Sequence, residues 1–161
     1  RGGGPRIGHP HGRRPVEEFR ARVIGETLGL LDGNRSNIRS RETNLGNLVA
    51  DAMLEKAAGS GAQIAITNGG GIRASIPAGP VTVGQVLEVL PFGNTLAVVT
   101  ITGAQVREAL ENGFSQIESG AGRFPQVAGI RVSFDPEAPA GSRVTALTFQ
   151  NQNIDPAASY Q

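Results

Sequence analysis

Hydrophobic positions along this chain switch repeatedly between a spacing of two and a spacing of three to four, with polar or glycine-rich breaks between the blocks. FRARVIGETLGLLD, residues 19–32, alternates apolar and polar side chains and predicts one or two strands. GNRSNIRS, residues 33–40, then reads as a polar turn region. In NLGNLVADAMLEKAAG the residues Leu45, Leu48, Val49, Ala52 and Met53 share one face, which predicts a helix. AQIAIT is a short buried strand running into a glycine-rich loop. Thr82 with Gln85, and Thr102 with Gln105, each have the spacing of a capping box, in which two side chains satisfy free amides at a helix start. A short helix follows the first pair, to about Val89. A longer one follows the second, with Val106, Ala109, Leu110, Gly113, Phe114 and Ile117 as its buried stripe. TLAVVTIT, IRVSF and VTALTF predict three further strands. Helices and strands interleave, so the class is mixed α+β.

Residues 1–15, RGGGPRIGHPHGRRP, are rich in glycine and proline and have no apolar period. They read as a linker or flexible arm ahead of a folded domain over residues 16–161. A chain of 161 residues fits one such domain. Its formal net charge of +1 is too near balance to point to nucleic acid, and no apolar stretch has the length of a membrane span. Cysteine is absent, which removes disulfides, thiolate metal sites and cysteine nucleophiles. Lys56 is the single lysine, so arginine carries almost all the positive charge and each arginine has to be judged by its context.

The stretch AITNGGGIRASIPAGP, Ala65 to Pro80, is either a loop that holds an anion or a flexible turn. Gly69 to Ala74 fit the dinucleotide pattern G-x-G-x-x-G/A, but Pro77, Gly79 and Pro80 break any helix that would have to open there. Histidine occurs only as His9 and His11, in the arm, and the four aspartates Asp32, Asp51, Asp135 and Asp155 stand singly. That is no pattern for a hydrolytic metal site. Arg35 and Arg39 flank the polar turn. As a strand they would stand about 13 Å apart, whereas a turn or helical turn brings both within reach of one anion. Arg73 lies just past the glycines and adds a third planar cation suited to phosphate or carboxylate. Each arginine alone reads equally well as a solvated surface residue.

Four motifs follow one another in order: RETNLGNLVADAM from Arg41, TNGGGIRASI from Thr67, LPFGNT from Leu90 and GRFPQVAGI from Gly122. Together they resemble the C-terminal, substrate-binding domain of the 5'-nucleotidase family, from about Val23 to Tyr160. The resemblance implies a layered sandwich of mixed β-sheets and α-helices. It also implies a parent hydrolase whose absent N-terminal metallophosphoesterase domain holds two divalent metal ions and the catalytic groups, with no catalytic residue, cofactor or metal in this chain. Its ligand would be a nucleotide or a related small phosphoester, and its location periplasmic, cell-surface or secreted. By position, Arg35, Arg39 and Arg73 match arginines that contact the nucleotide, mostly its phosphates. Asn68 matches an asparagine that hydrogen-bonds the ligand, Phe92 a ring that stacks on the base, and Asn94 a nearby polar contact. Gly70 and Gly71 belong to the loop that lets main-chain groups come close. Asn44, Gly46, Asn47 and Asp51 match positions that start and seat the first long helix, and Phe124 packs either beside the base or in the core. One departure stands out: the family's downstream GGDG-aromatic motif is missing, which predicts a domain truncated at its C-terminal end and weak binding by this piece. Two other readings stay open. The domain could be a non-catalytic binding or assembly module that keeps the fold, or part of a relative acting on another substrate, such as a UDP-sugar hydrolase or a sulfur-oxidation thiohydrolase.

Overall fold

The computed structural model describes residues 14–161. Most of the expected arm, with His9 and His11, lies outside them. Arg14 and Pro15 do not extend the arm but open helix α1 (Arg14–Ala21), where proline in the first turn loses no needed hydrogen bond. The alternating block after it is therefore only partly strand. Phe19 to Ala21 finish α1, and β1 covers Val23–Thr27.

Among the described residues, helices α2 (Arg35–Ile38), α3 (Asn44–Ala57), α4 (Val83–Val89) and α5 (Gly103–Phe114) are interleaved with nine short strands. Four small antiparallel sheets result: β1 with β3 (Gly79–Thr82), β2 (Ala65–Asn68) with β5 (Pro125–Ala128), β4 (Ile101–Thr102) with β9 (Ser159–Tyr160), and β6 (Ile130–Phe134), β7 (Val144–Phe149) and β8 (Gln152–Asn153) in that order. Both predicted capping boxes form. Thr82 and Thr102 accept from the backbone of Gln85 and Gln105, whose side chains accept in return from the threonine amides. Ahead of α3 it is Thr43 that caps, accepting from Gly46 N at 3.0 Å. Asn44 instead ties the helix start to the preceding loop through Asp32 N and Leu30 O.

TLAVVTIT does not form the strand expected of it. Only Ile101 and Thr102 pair, with Tyr160 and Ser159, while Thr95 to Thr100 have no ladder partner among the described residues and lie exposed. Alternation marks a segment that fits a pleated surface, but strand status also needs a neighbour.

Two main apolar clusters hold the layers. In the larger, Val106, Leu110 and Phe114 of α5 pack on Phe124, Ile130, Val144 and Leu147. Phe114 stacks on Phe134 at 4.2 Å between centroids, and Phe124 meets Phe114 edge-on at 5.4 Å, so Phe124 is a core residue. Ala109, expected in the α5 stripe, faces solvent, and Ile117 lies just past the helix, half-buried. The smaller cluster, Ile38, Leu45, Ile72, Ile76 and Val89, joins α2, α3 and α4 to the segment after the glycine loop. Complete burial of a side chain the size of Ile38 contributes about 1.5–3 kcal/mol, an anchor that a four-residue helix requires because it cannot persist alone.

Arg143 closes the far end of α5. Its guanidinium donates to the Phe114 and Ala138 carbonyls and to Glu118, placing a cation at the negative end of the helix. Hydrogen bonding from Arg143, then from backbone, holds the Glu118 carboxyl below its ordinary 4.5. A carboxyl depressed in the folded state adds stability that is complete above the unfolded-state value and lost as pH falls through the folded-state value. Glu118→Gln should thus flatten the stability profile below about pH 4.5 relative to the parent chain, read as urea midpoints across pH. Parallel profiles would show the pair contributes nothing.

Candidate anion and aromatic site

The arginine-bearing turn is built by side chains that bond to their own backbone. Asp32 accepts from Asn34 N and from Asn37 Nδ2, and Asn34 accepts from Ser36 N and caps α2. These short-range bonds wind residues 35–38 into a single helical turn, the arrangement that brings Arg35 and Arg39 to one side. Arg39 is only 9% exposed. One Nη donates to the Gly120 carbonyl at 3.3 Å, while Nε is buried with no partner among the described residues. Burial, then the charges of Arg35 and Arg73, hold the Arg39 guanidinium below its usual value. Three cations therefore crowd one locality. Among the described residues the ion pairs are Arg20–Glu88 and Arg143–Glu118, so none of the three is neutralised by a carboxylate.

Across from α2, strand β2 delivers Asn68 and then a tight 3₁₀ turn at Gly69–Gly71. The turn lies against backbone on two sides. Gly69 N donates to Phe124 O at 2.7 Å and Gly70 N to Gly122 O at 2.8 Å. A Cβ on Gly70 would stand 2.7 Å from the Gly122 Cα, and one on Gly69 would overlap the Ile38 carbonyl oxygen. These two amides are already spent. The glycines thus serve close approach, which leaves Gly70 O free to accept from Arg73 Nη1 at 3.3 Å. Asn68 Nδ2 donates to Gly122 O at 3.2 Å.

Phe92 and Asn94 bracket Gly93, whose φ of +61° gives the turn that presents both beyond α4. Phe92 is 59% exposed, and the Arg73 guanidinium carbon sits 5.7 Å from its ring centroid. Asn68, Gly71, Phe92 and Asn94 line one open groove of about 920 Å³, floored by apolar residues of α3 and β2 including Met53 and Ile66. The arginines lie outside that groove, and Arg73 links the two parts by touching both Gly70 and Phe92. The arrangement can neutralise an anion at one end and stack a flat ring at the other.

The loop over residues 120–122 holds Arg39 and Asn68 through its carbonyls, a role the sequence does not mark. Main-chain acceptors leave no side-chain signature; the glycines of GAGR were the one available sign. Among the described residues no three His, Cys, Asp or Glu side chains group so as to hold a metal ion, and no helix is long and apolar enough to cross a membrane.

A family model described as "5'-nucleotidase, C-terminal domain" matches residues 23–161. The trifunctional nucleotide phosphoesterase protein YfkN of Bacillus subtilis is 50% identical over 147 residues, covering 91% of this chain and 10% of that protein. Protein UshA of Escherichia coli is 36% identical over 138 residues, covering 86% of this chain and 24% of its own length. Among solved structures, a 5'-nucleotidase precursor from Thermus thermophilus superposes with a TM-score of 0.88 at 52% identity, over 91% of this chain and 30% of that one. This chain thus spans less than a third of each of these relatives. Ordered motifs, matching fold and matched residues agree: the chain belongs to the 5'-nucleotidase family and comprises its C-terminal domain.

Proposed function

We propose that this domain is the nucleotide-holding part of a metal-dependent phosphoesterase, which presents a nucleotide to a catalytic domain elsewhere in the parent protein. The observation that carries the reading is Arg39, a buried cation with an unpartnered Nε, crowded by Arg35 and Arg73 next to the exposed face of Phe92. An anion would relieve the mutual repulsion of the three guanidinium groups. Phosphate suits their forked geometry better than a spherical ion does. Phe92 then stacks on the base, a contact worth roughly 1–3 kcal/mol for base on aromatic ring. Asn68 and Asn94 supply hydrogen bonds along the groove, Gly71 lines it, and Gly70 seats the turn against Gly122. Catalysis and two divalent metal ions belong to an N-terminal metallophosphoesterase domain of the parent. A periplasmic, cell-surface or secreted location goes with that reading. The exposed Phe92 favours a ligand that carries a base over one that lacks it.

Two measurements test this. The parent protein, supplied with divalent cations, should release phosphate from AMP or a related nucleotide. This chain alone should bind AMP in a calorimetric titration while releasing none. A parent that hydrolyses no phosphoester defeats the reading. Saturable AMP binding by this chain, lost on Phe92→Ala, separates it from a module kept only for assembly.

A further inference from the structure

We infer that Gln126 is a positioning residue for the anion site, setting where Arg39 stands without touching the ligand. Gln126 sits in the middle of β5 and is 1% exposed, a lone polar side chain in an otherwise apolar run. All its polar contacts go to one stretch of chain. Nε2 donates to Ile38 O at 3.2 Å and to Arg41 O at 2.8 Å, and Oε1 accepts from Thr43 N at 3.3 Å. Ile38 and Arg41 bracket Arg39, so one carboxamide pins the backbone on both sides of the buried guanidinium.

The anchor for that pin is the opposite half of the site. In the β2–β5 pair Gln126 faces Thr67, the residue before Asn68 and the glycine turn. The carboxamide therefore fixes the separation between the arginine turn and the glycine turn, the two elements that must face one anion together. Its surroundings are shaped to hold it in one pose. Gly46 leaves the room, since a Cβ there would overlap the carboxamide, and Thr43 caps α3 at the same point. An apolar side chain of equal size would fill the space yet take the partner from the buried Ile38 carbonyl and Thr43 amide and from the part-buried Arg41 carbonyl. The most economical relief is for the 38–43 segment to move outward, carrying Arg39 with it.

This inference takes its ligand readout from the nucleotide reading, so the test uses two observables on this chain. Gln126→Met preserves volume and removes every polar contact. Gln126→Glu keeps the acceptor for Thr43 N but turns an oxygen toward the two carbonyls. In either folded variant the Kd for AMP should rise roughly tenfold or more, while that for adenosine changes by less than about twofold. In the ligand-free chain the Arg39 Nε–H resonance, protected by burial, should lose its protection from solvent exchange. Equal weakening toward both ligands, unchanged protection, or failure of both variants to fold would each assign Gln126 a purely structural role and overturn the inference. If this chain without substitution binds neither compound, the nucleotide reading fails, and the Nε–H resonance alone decides for or against Gln126.

Discussion

Gly69→Ala is expected to lower the melting temperature by roughly 5–10 °C and to abolish AMP binding, whereas Gly71→Ala should leave the melting temperature within about 2 °C. The contrast comes from what each new methyl group meets. At Gly69 it runs into the carbonyl of Ile38, with Phe124 O at 3.3 Å on the other side. Both obstacles are backbone, so no side chain can swing aside to make room. At Gly71 the nearest atom is the side-chain oxygen of Asn68 at 3.7 Å, an ordinary contact distance. Neither glycine has a positive φ, so the difference is one of space and not of backbone conformation. Relief at Gly69 requires the glycine turn to part from α2, which breaks the 2.7 Å bond from Gly69 N to Phe124 O and draws Arg73 away from Arg39. Thermal unfolding of both variants, followed by titration with AMP, checks the pair. Equal melting temperatures for the two would mean that the close approach of the turn and α2 has no energetic weight.

The same close approach shows why some of the fold was legible in the sequence and some was not. Features set within a few residues could be read directly. Thr82–Gln85 and Thr102–Gln105 specify their helix starts locally, and both caps form. Features that depend on distant partners could not. Thr95 to Thr100 alternate like a strand, yet without a neighbouring ladder they pair nowhere among the described residues. In α1, alternation over Phe19 to Ala21 suggested a strand, but those residues lie on the helix that packs against α4 through Arg20 and Glu88. The candidate site divides along the same line. The four-residue spacing of Arg35 and Arg39 allowed either an extended or a helical arrangement. The side-chain bonds of Asp32 and Asn34 decided in favour of the turn. The meeting of that turn with Gly69, Gly70 and Gly122 has no local code at all. It depends on β5 pairing with β2, an event linking residues about sixty positions apart.

Arg39→Met is expected to separate stability from binding, with opposite signs. In the folded chain the Arg39 charge is disfavoured first by burial and then by Arg35 and Arg73, so its folded-state value lies below the unfolded one. For a cation that shift means the charge costs folding energy wherever the group is protonated, which for arginine includes every accessible pH. Methionine reproduces the unbranched stem as far as the Nε position and carries no charge. It gives up one hydrogen bond, the 3.3 Å contact with Gly120 O, and removes the buried unpartnered Nε. Replacing a poorly compensated buried charge by an apolar side chain should stabilise the chain by about 0.5–2 kcal/mol. The opposite holds for the ligand. On the proposed reading, two charge-assisted hydrogen bonds from a guanidinium fork to phosphate would be lost, and the Kd for AMP should rise about 100-fold or more. Arg39→Lys keeps a charge but not the fork. It should lose most of the affinity without the gain in stability, which separates geometry from charge. Denaturant midpoints and calorimetric titrations on the two variants give all four numbers. A less stable Arg39→Met chain that binds AMP as tightly as the unsubstituted chain would make Arg39 a structural residue and remove the anion site from this face of the domain.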